Sequence, residues 1–248
     1  LRSSGANISL RKCSAFLNFF DLDRIRIVTC KIRKKMDDSL LKFVRGLVSG
    51  GIVAHRLAEV RDLDEAQRRA PTLCEKWTPV HVLAHLSSLV LVPFPKFMLA
   101  MAKNRGDFDV TALQVSQGLV DRMSAEELAA GLKEKATKTP PLPGFPTHMP
   151  LLDTLVHTQD IRRPLGLDGQ LDDDAVVEAL DFLTTHKQAS NFTDTELLAQ
   201  TRLEATDLDW AHGPEGAEMM RGKGEALLMA LARRDVDDEI DGPAHRFR

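Results

Sequence analysis

Apolar residues recur at helical spacing along most of this 248-residue chain, and prolines and capping residues interrupt them at a few points. A spacing of three and four residues is typical of helices that bury one face. The predicted helices cover about residues 39–63, 79–103, 110–138, 151–166 and 172–187. Because each such helix needs a partner for its apolar face, the succession predicts a helix bundle.

Local signals indicate where these helices begin and where they are interrupted. Thr78 is the expected N-cap of the second helix, with Pro79 at its first helical position. Pro93 and Pro95 should kink or divide that helix, because proline has no amide hydrogen to donate. Ser124 begins a capping box that should break the third helical pattern.

The sequence pattern changes in the C-terminal part of the chain. The segment 139–150 contains five prolines and is predicted to be a loop. Residues 203–206 and 208–210 are predicted as short strands, and a last helix is predicted over residues 225–234. Glycine-rich turns are expected between them, at Gly213, Gly216, Gly222 and Gly224. The fold class expected is therefore mainly α with a small α/β tail.

Charge is distributed unevenly along the chain. Residues 1–35 carry nine Lys and Arg against Asp21 and Asp23, a net charge of +7, whereas the whole chain carries -3. The acidic remainder disfavours nonspecific nucleic-acid binding. We expect residues 1–35 to be a basic leader outside the fold, residues 36–190 to form the helix bundle and residues 191–248 to form a small C-terminal α/β subdomain.

The cysteine pattern and the apolar runs exclude two further classes. Cys13, Cys30 and Cys74 are odd in number and form no Cys-x-x-Cys pair, so neither a disulfide framework nor a cysteine zinc site is indicated. No apolar run approaches the ~20 residues that span a bilayer. We therefore expect a cytoplasmic protein with no membrane partner.

The residues most suggestive of chemistry lie in the helix predicted after Pro150. Asp153 and His157 are four residues apart, so their side chains project from one face and could both bind a divalent metal ion. Asp160 and Arg162, a turn further on, could support those ligands or contact a substrate. The ordinary alternative is a helix with ion pairs on its surface.

A third ligand is best sought on the helix that follows Trp77. His85 occupies an apolar face there, and bundles commonly build metal sites from facing helices. The alternative is a core histidine that hydrogen-bonds a carbonyl group. His81 and His85 also form a pair four apart, which ranks second because His81 lies near the exposed helix start. His148, in the proline-rich loop, could reach the mouth of the site.

Several blocks of the sequence resemble a known family. They are Pro71–Trp77 (PTLCEKW), Val82–Leu86 (VLAHL) and His157–Gly166 (HTQDIRRPLG). Together they resemble the mycothiol-dependent maleylpyruvate isomerase family, which consists of actinobacterial, DinB-like metal enzymes. The similarity extends from about Leu57 to Gly242, since residues 205–210 and 226–234 resemble the C-terminal domain of that family.

The resemblance implies a DinB-like four-helix bundle with a divalent metal ion held by His85, Asp153 and His157. Asp153 stands where the isomerase pattern has glutamate, so the arm of this ligand is shorter. The resemblance also implies that Arg234 binds the carboxylate of a substrate. Arg233 stands where the family usually has glycine. An arginine exposed at a helix end is the alternative for both.

The function implied is a metal-dependent and mycothiol-dependent enzyme that transfers a thiol to a small electrophilic acid or isomerises it from cis to trans. Zinc is the default metal, because two imidazoles and one carboxylate suit zinc and several neighbouring ions. Mycothiol would be the thiol cosubstrate, which fits the expectation that no protein cysteine lies at the site. Two alternatives stay open: a metal-binding DinB-like protein that binds a small molecule without isomerase activity, and a structural module whose histidines belong to the core.

Overall fold

The structure is a computed structural model that describes residue 60, residues 62–135 and residues 148–248. The predicted leader, most of the predicted helix over residues 39–63 and most of the proline-rich loop lie outside the described residues. The described residues are mainly helical, with a small four-stranded sheet in the C-terminal part, as predicted for the fold class.

The first described helices follow the predicted breaks. Their bounds are α1 Glu65–Arg68, α2 Pro79–Leu91, α3 Phe94–Lys103, α4 Phe108–Val120 and α5 Ala125–Lys135. The pair Pro93 and Pro95 divides the second predicted helix into α2 and α3, as expected. The third pattern breaks before α5, where the Ser124 amide donates to Glu127 Oε2 at 2.8 Å and the Glu127 amide donates to Ser124 Oγ at 3.1 Å. This reciprocal pair confirms the capping box.

The later helices are α6 Met149–Leu165, α7 Asp173–Thr185, α8 Thr195–Leu198 and α9 Gly224–Leu231. The first of them ends as predicted, because Gly166 adopts a left-handed backbone conformation with φ of 60° at its C-cap. Asp172 caps α7 by accepting the Ala175 amide hydrogen at 3.0 Å. No helix among the described residues has the length and the apolar character needed to cross a membrane.

The sheet consists of β1 Thr201–Ala205, β2 Ala211–His212, β3 Glu218–Gly222 and β4 Ile240–Asp241, in the order β2-β1-β3-β4. The central strands β1 and β3 are parallel, and each outer strand is antiparallel to its neighbour. Short 3₁₀ helices occur at Lys187–Asn191, Asp237–Glu239 and Ala244–Phe247.

The tail departs from two of its predictions. Residues 206–209 form a bend, and the second strand is β2, which follows at residues 211–212. Of the glycines predicted in turns, Gly213 and Gly216 do lie between β2 and β3, whereas Gly222 ends β3 and Gly224 begins α9. Gly222 ends β3 where a Cβ atom would lie 2.9 Å from the carbonyl oxygen of Glu239. This glycine therefore permits the close approach of two strands, a use of glycine that resembles a turn signal in the sequence.

The apolar core has two parts, and α6 contributes to both. One part joins α2 to α5, with Leu83, Leu128 and Ile161 among its buried residues. The other part joins α6 and α7 to α9 and the sheet, with Leu155 and Leu228 among its members. Because α6 is enclosed on several sides, its polar residues are buried as well, which positions them to form a site.

Candidate metal site

His85 reaches the interior from the second turn of α2. This helix begins where Pro79 follows the N-cap residue Thr78, as predicted. His85 is only 7 % exposed and lies among buried apolar residues that include Leu83 and Leu86. The prediction that His85 points into the helical core is therefore confirmed.

Asp153 lies between two imidazoles. Its Oδ2 is 3.2 Å from Nε2 of His85, and its Oδ1 is 3.4 Å from Nε2 of His157. The spacing of four on α6 brings Asp153 and His157 together, and the packing of α2 against α6 adds His85. Asp153 keeps 25 % of its side chain exposed, against 9 % and 10 % for the two histidines, so the cluster opens to solvent on the Asp153 side.

Trp77 covers the two imidazoles. Its ring centroid is 4.8 Å from that of His85 and 5.8 Å from that of His157, and the latter pair is stacked. The loop before α2 holds Trp77 in place, since the Trp77 amide donates to the carbonyl oxygen of Cys74 at 3.1 Å. Trp77 is thus a packing anchor, and the groups it packs against are the candidate ligands.

Asp160 binds the far side of the His157 ring. Its Oδ2 lies 2.9 Å from Nδ1 of His157, and its side chain is completely buried. Arg234 contacts both oxygens of this carboxylate, from Nε at 2.8 Å and from Nη2 at 2.7 Å. Asp160 therefore lies directly behind the imidazole of a candidate ligand.

The turn after α9 carries Arg234 to this position. The predicted helix over residues 225–234 is too long, because α9 ends at Leu231. The Arg233 amide donates to the Ala230 carbonyl and the Arg234 amide to the Met229 carbonyl, both at 2.9 Å, which is the bonding pattern of a Schellman C-cap. Arg233 has a φ of 66°, in the left-handed region that favours glycine.

Cys74 also lies at the site, and the expectation that no cysteine does so is wrong. Its Sγ donates to Asp160 Oδ2 at 2.9 Å and lies 3.6 Å from Nδ1 of His157. Arg234 Nη2 lies 3.5 Å from the same sulfur. The sequence did hold a signal, since Cys74 occurs in the same short block as Trp77, but a lone cysteine has no metal-like spacing.

The charges of the cluster follow from its burial and its partners. Burial disfavours the charged form of Asp153, but the imidazoles of His157 and His85 outweigh burial and hold the pKa of Asp153 well below its usual range. Burial also raises the pKa of Asp160, and Arg234 and His157 overcome this effect, so that the pKa of Asp160 is low as well. Both groups are therefore carboxylates near neutral pH.

His157 responds in the opposite sense. Burial disfavours its cationic form, but the carboxylates of Asp153 and Asp160 raise the pKa of His157 well above its ordinary value. In the absence of a metal ion, a proton on Nε2 would face Asp153. A divalent cation would have to replace that proton, because only the neutral ring offers a lone pair.

The other candidates named from the sequence have different partners. His81 Nδ1 lies 2.8 Å from Thr78 Oγ1 and its Nε2 lies 2.9 Å from Gln117 Oε1, so this ring caps the start of α2. His148 lies 3.2 Å from Glu178 Oε1. Arg162 is buried, with its guanidinium packed against Gly169. The structure therefore assigns His81 and His148 to local contacts with these partners.

Two groups of side chains in the described residues could hold a metal ion, and they share His157. The ligand atoms of His85, Asp153 and His157 all lie within 4.8 Å of one another, and the same is true of Cys74, His157 and Asp160. Asp153 directs one carboxylate oxygen at each imidazole of the first group, so both candidate nitrogen ligands lie beside the same carboxylate. The second group already has the Arg234 cation on its carboxylate, which would repel a metal ion. The first group therefore fits a divalent cation better.

Comparison of the chain with family models, with curated proteins and with solved structures found no match. The geometry of the site and the resemblance of its sequence blocks are therefore what support a function.

Proposed function

We propose that His85, Asp153 and His157 hold a catalytic divalent metal ion, with zinc as the default. The observation that carries this proposal is the convergence of two imidazole nitrogens and a carboxylate from two helices at one largely buried point. Three protein ligands leave a coordination position for water or substrate. An ion bound there would supply Lewis acidity and would stabilise the thiolate form of a bound thiol.

We further propose that the protein is a mycothiol-dependent enzyme of the maleylpyruvate isomerase type, built on a DinB-like four-helix bundle. Four of the segments that resemble this family, residues 71–77, 82–86, 157–166 and 226–234, meet at one place, although the last two lie far along the sequence from the first two. Trp77 stacks on His157, His85 faces Asp153, and Arg234 reaches the far side of the same cluster. A chance resemblance in separate blocks would not require these contacts.

The proposed reaction is the addition of the sulfur of mycothiol to one carbon of a cis double bond in a small electrophilic acid. Rotation about the resulting single bond and departure of the same thiolate then give the trans product. Trp77 and the buried walls of α2 and α6 would exclude water from the two histidines. The open Asp153 side is the approach for the reactants, because that side chain is the most exposed of the three.

A second function is favoured by one contact. The resemblance assigns Arg234 to a substrate carboxylate, but both oxygens of Asp160 are bound to the Arg234 guanidinium. A DinB-like metal-binding protein that binds a small molecule without isomerising an acid would not need an arginine that contacts a substrate carboxylate. Turnover separates the two functions, since metal-loaded protein that shows no thiol-dependent conversion would favour the second.

The metal site is tested by three variants of the full chain. His85→Ala should lose zinc, measured as metal content after dialysis against a weak chelator. His81→Ala is the matched control on the same helix and should retain zinc. Cys74→Ser should also retain zinc, because Cys74 belongs only to the second group of potential ligands. Loss of zinc in Cys74→Ser with retention in His85→Ala would move the site to that second group.

The activity is tested with mycothiol and maleylpyruvate. Zinc-loaded protein should convert maleylpyruvate only when mycothiol is present, followed by the loss of the cis substrate in a chromatographic assay. His85→Ala should be inactive under the same conditions. Metal-loaded wild type without mycothiol-dependent conversion of this substrate or of a general thiol-reactive electrophile would refute the proposed activity.

A further inference from the structure

Asp160 is the point at which three separate parts of the chain meet. Its carboxylate accepts hydrogen bonds from His157 on α6, from Cys74 in the loop before α2 and from Arg234 after α9. Its backbone carbonyl also accepts the Leu73 amide hydrogen at 3.0 Å. No part of the Asp160 side chain is exposed.

We propose that Asp160 is a positioning residue for the metal ligand His157, and that Arg234 acts through Asp160 and not on the substrate. This inference rests on the proposed function, because it assumes that Nε2 of His157 binds the metal ion. It revises the role that the family resemblance implies for Arg234.

The first reason is the orientation of the imidazole ring. A hydrogen bond from Nδ1 to Asp160 places the ring proton on the Asp160 side and leaves the lone pair on Nε2, which faces Asp153. The same bond fixes the rotation of the ring, since Nδ1 can meet Asp160 in one orientation only. A carboxylate behind a metal-binding histidine has this effect on metal sites in general.

The second reason is the geometry of the Arg234 contact. The guanidinium engages both oxygens of Asp160, and its Nη1 donates to the Ala232 carbonyl oxygen at 2.8 Å. A bidentate pair fixes the plane of the carboxylate as well as its charge. Because the C-cap of α9 places Arg234, the C-terminal part of the chain determines how Asp160 presents its Oδ2 to His157.

The test is the affinity of the full chain for zinc, measured by competition with a chromophoric chelator. Asp160→Asn should weaken zinc binding about 10- to 100-fold, because the neutral amide cannot serve both His157 and Arg234 as an acceptor. Arg234→Lys should weaken it less than Arg234→Met does, since lysine keeps the cation but not the bidentate contact. In the proton–nitrogen correlation spectrum, the Nδ1 proton of His157 should be protected from exchange in wild type and exposed in Asp160→Asn.

Glu225→Gln is the matched control. Glu225 pairs with Arg163 at 2.9 Å, so this variant also breaks an ion pair between α6 and the α9 segment, three residues from Asp160 along α6. It should leave zinc affinity within about twofold of wild type, because Arg163 does not contact His157 in any of the hydrogen bonds described.

The outcomes separate this inference from the proposed function. Wild type that does not bind zinc through His85 would refute the proposed function itself. Wild type that binds zinc while Asp160→Asn and Arg234→Met bind equally well would refute the positioning role and leave the metal site intact. If Glu225→Gln lost as much zinc affinity as Asp160→Asn does, general loosening of the helices, and not removal of the carboxylate, would be what weakens zinc binding. If Asp160→Asn does not fold, the comparison of Arg234→Lys with Arg234→Met decides the question.

Discussion

Replacing Arg234 with methionine removes a cation from a buried carboxylate while keeping the unbranched apolar part of the side chain. The side chain of Asp160 is fully buried and that of Arg234 is 17 % exposed, so solvent screens this pair only slightly. Removing one partner of a buried ion pair costs about 3–5 kcal/mol, because a charge is left without compensation. Cys74 and His157 still donate to Asp160, so we expect the lower end of that range, about 3 kcal/mol.

The double variant Asp160→Asn/Arg234→Met distinguishes loss of a charge pair from loss of packing. It removes both charges, so it should be more stable than Arg234→Met alone by at least about 1 kcal/mol. The free energy of unfolding would be measured by urea denaturation with a chelator present, because bound metal would otherwise add its own stabilisation. Glu225→Gln, which affects a more exposed pair, should lose about 1 kcal/mol or less.

A small effect would refute the reasoning. If Arg234→Met lost less than about 1 kcal/mol, Asp160 would not depend on Arg234 for compensation of its charge. A double variant less stable than both single variants would show that Arg234 acts through packing, and the assignment of a buried ion pair would be wrong.

The remaining predictions concern the backbone, the pH and the metal. Arg233→Gly should stabilise the protein by about 0.5–1 kcal/mol in urea unfolding. Glycine avoids the cost of about 1–2 kcal/mol that a side chain incurs in the left-handed conformation, but part of this gain is lost because glycine has more conformational entropy in the unfolded chain. The pKa of Asp160 is lower in the folded protein than in the unfolded chain, so the carboxylate stabilises the fold. This stabilisation is complete above the pKa of an unfolded carboxyl group, about 3.9, and is lost as the pH falls through the lower pKa of folded Asp160. The gap in unfolding free energy between wild type and Asp160→Asn should therefore narrow below about pH 4, and a constant gap would contradict this. Zinc at 100 times its Kd should stabilise wild type by about 2.7 kcal/mol in thermal unfolding and leave His85→Ala unchanged.

Several elements could be predicted from the sequence because their signals are local. Thr78 and Pro79 specify the start of α2, and Ser124 specifies the start of α5, since each cap is formed by residues within one turn. The pairing of Asp153 with His157 is of the same kind, because two residues four apart on a helix must share a face.

The predictions were wrong where backbone segments distant in the sequence determine the conformation of a residue. Gly222 resembles a turn glycine in the sequence, yet it ends a strand because β4 approaches closely at that point. Arg233 gives no sign of a left-handed conformation, because arginine seldom adopts one and the C-cap imposes it. The predicted last helix was too long for the same reason.

By itself the sequence determined the helical character of the chain, most helix starts and the choice of His85, Asp153 and His157 as candidate ligands. These follow from side-chain spacing and from capping chemistry, which act over a few residues. Only the tertiary structure brought Cys74 and Arg234 into hydrogen-bonding contact with Asp160, because these two residues are 86 and 74 positions away from Asp160 in the sequence. The physical reason is that a hydrogen bond acts over about 3 Å, so such contacts depend on how α2, α6 and α9 pack and not on any local pattern.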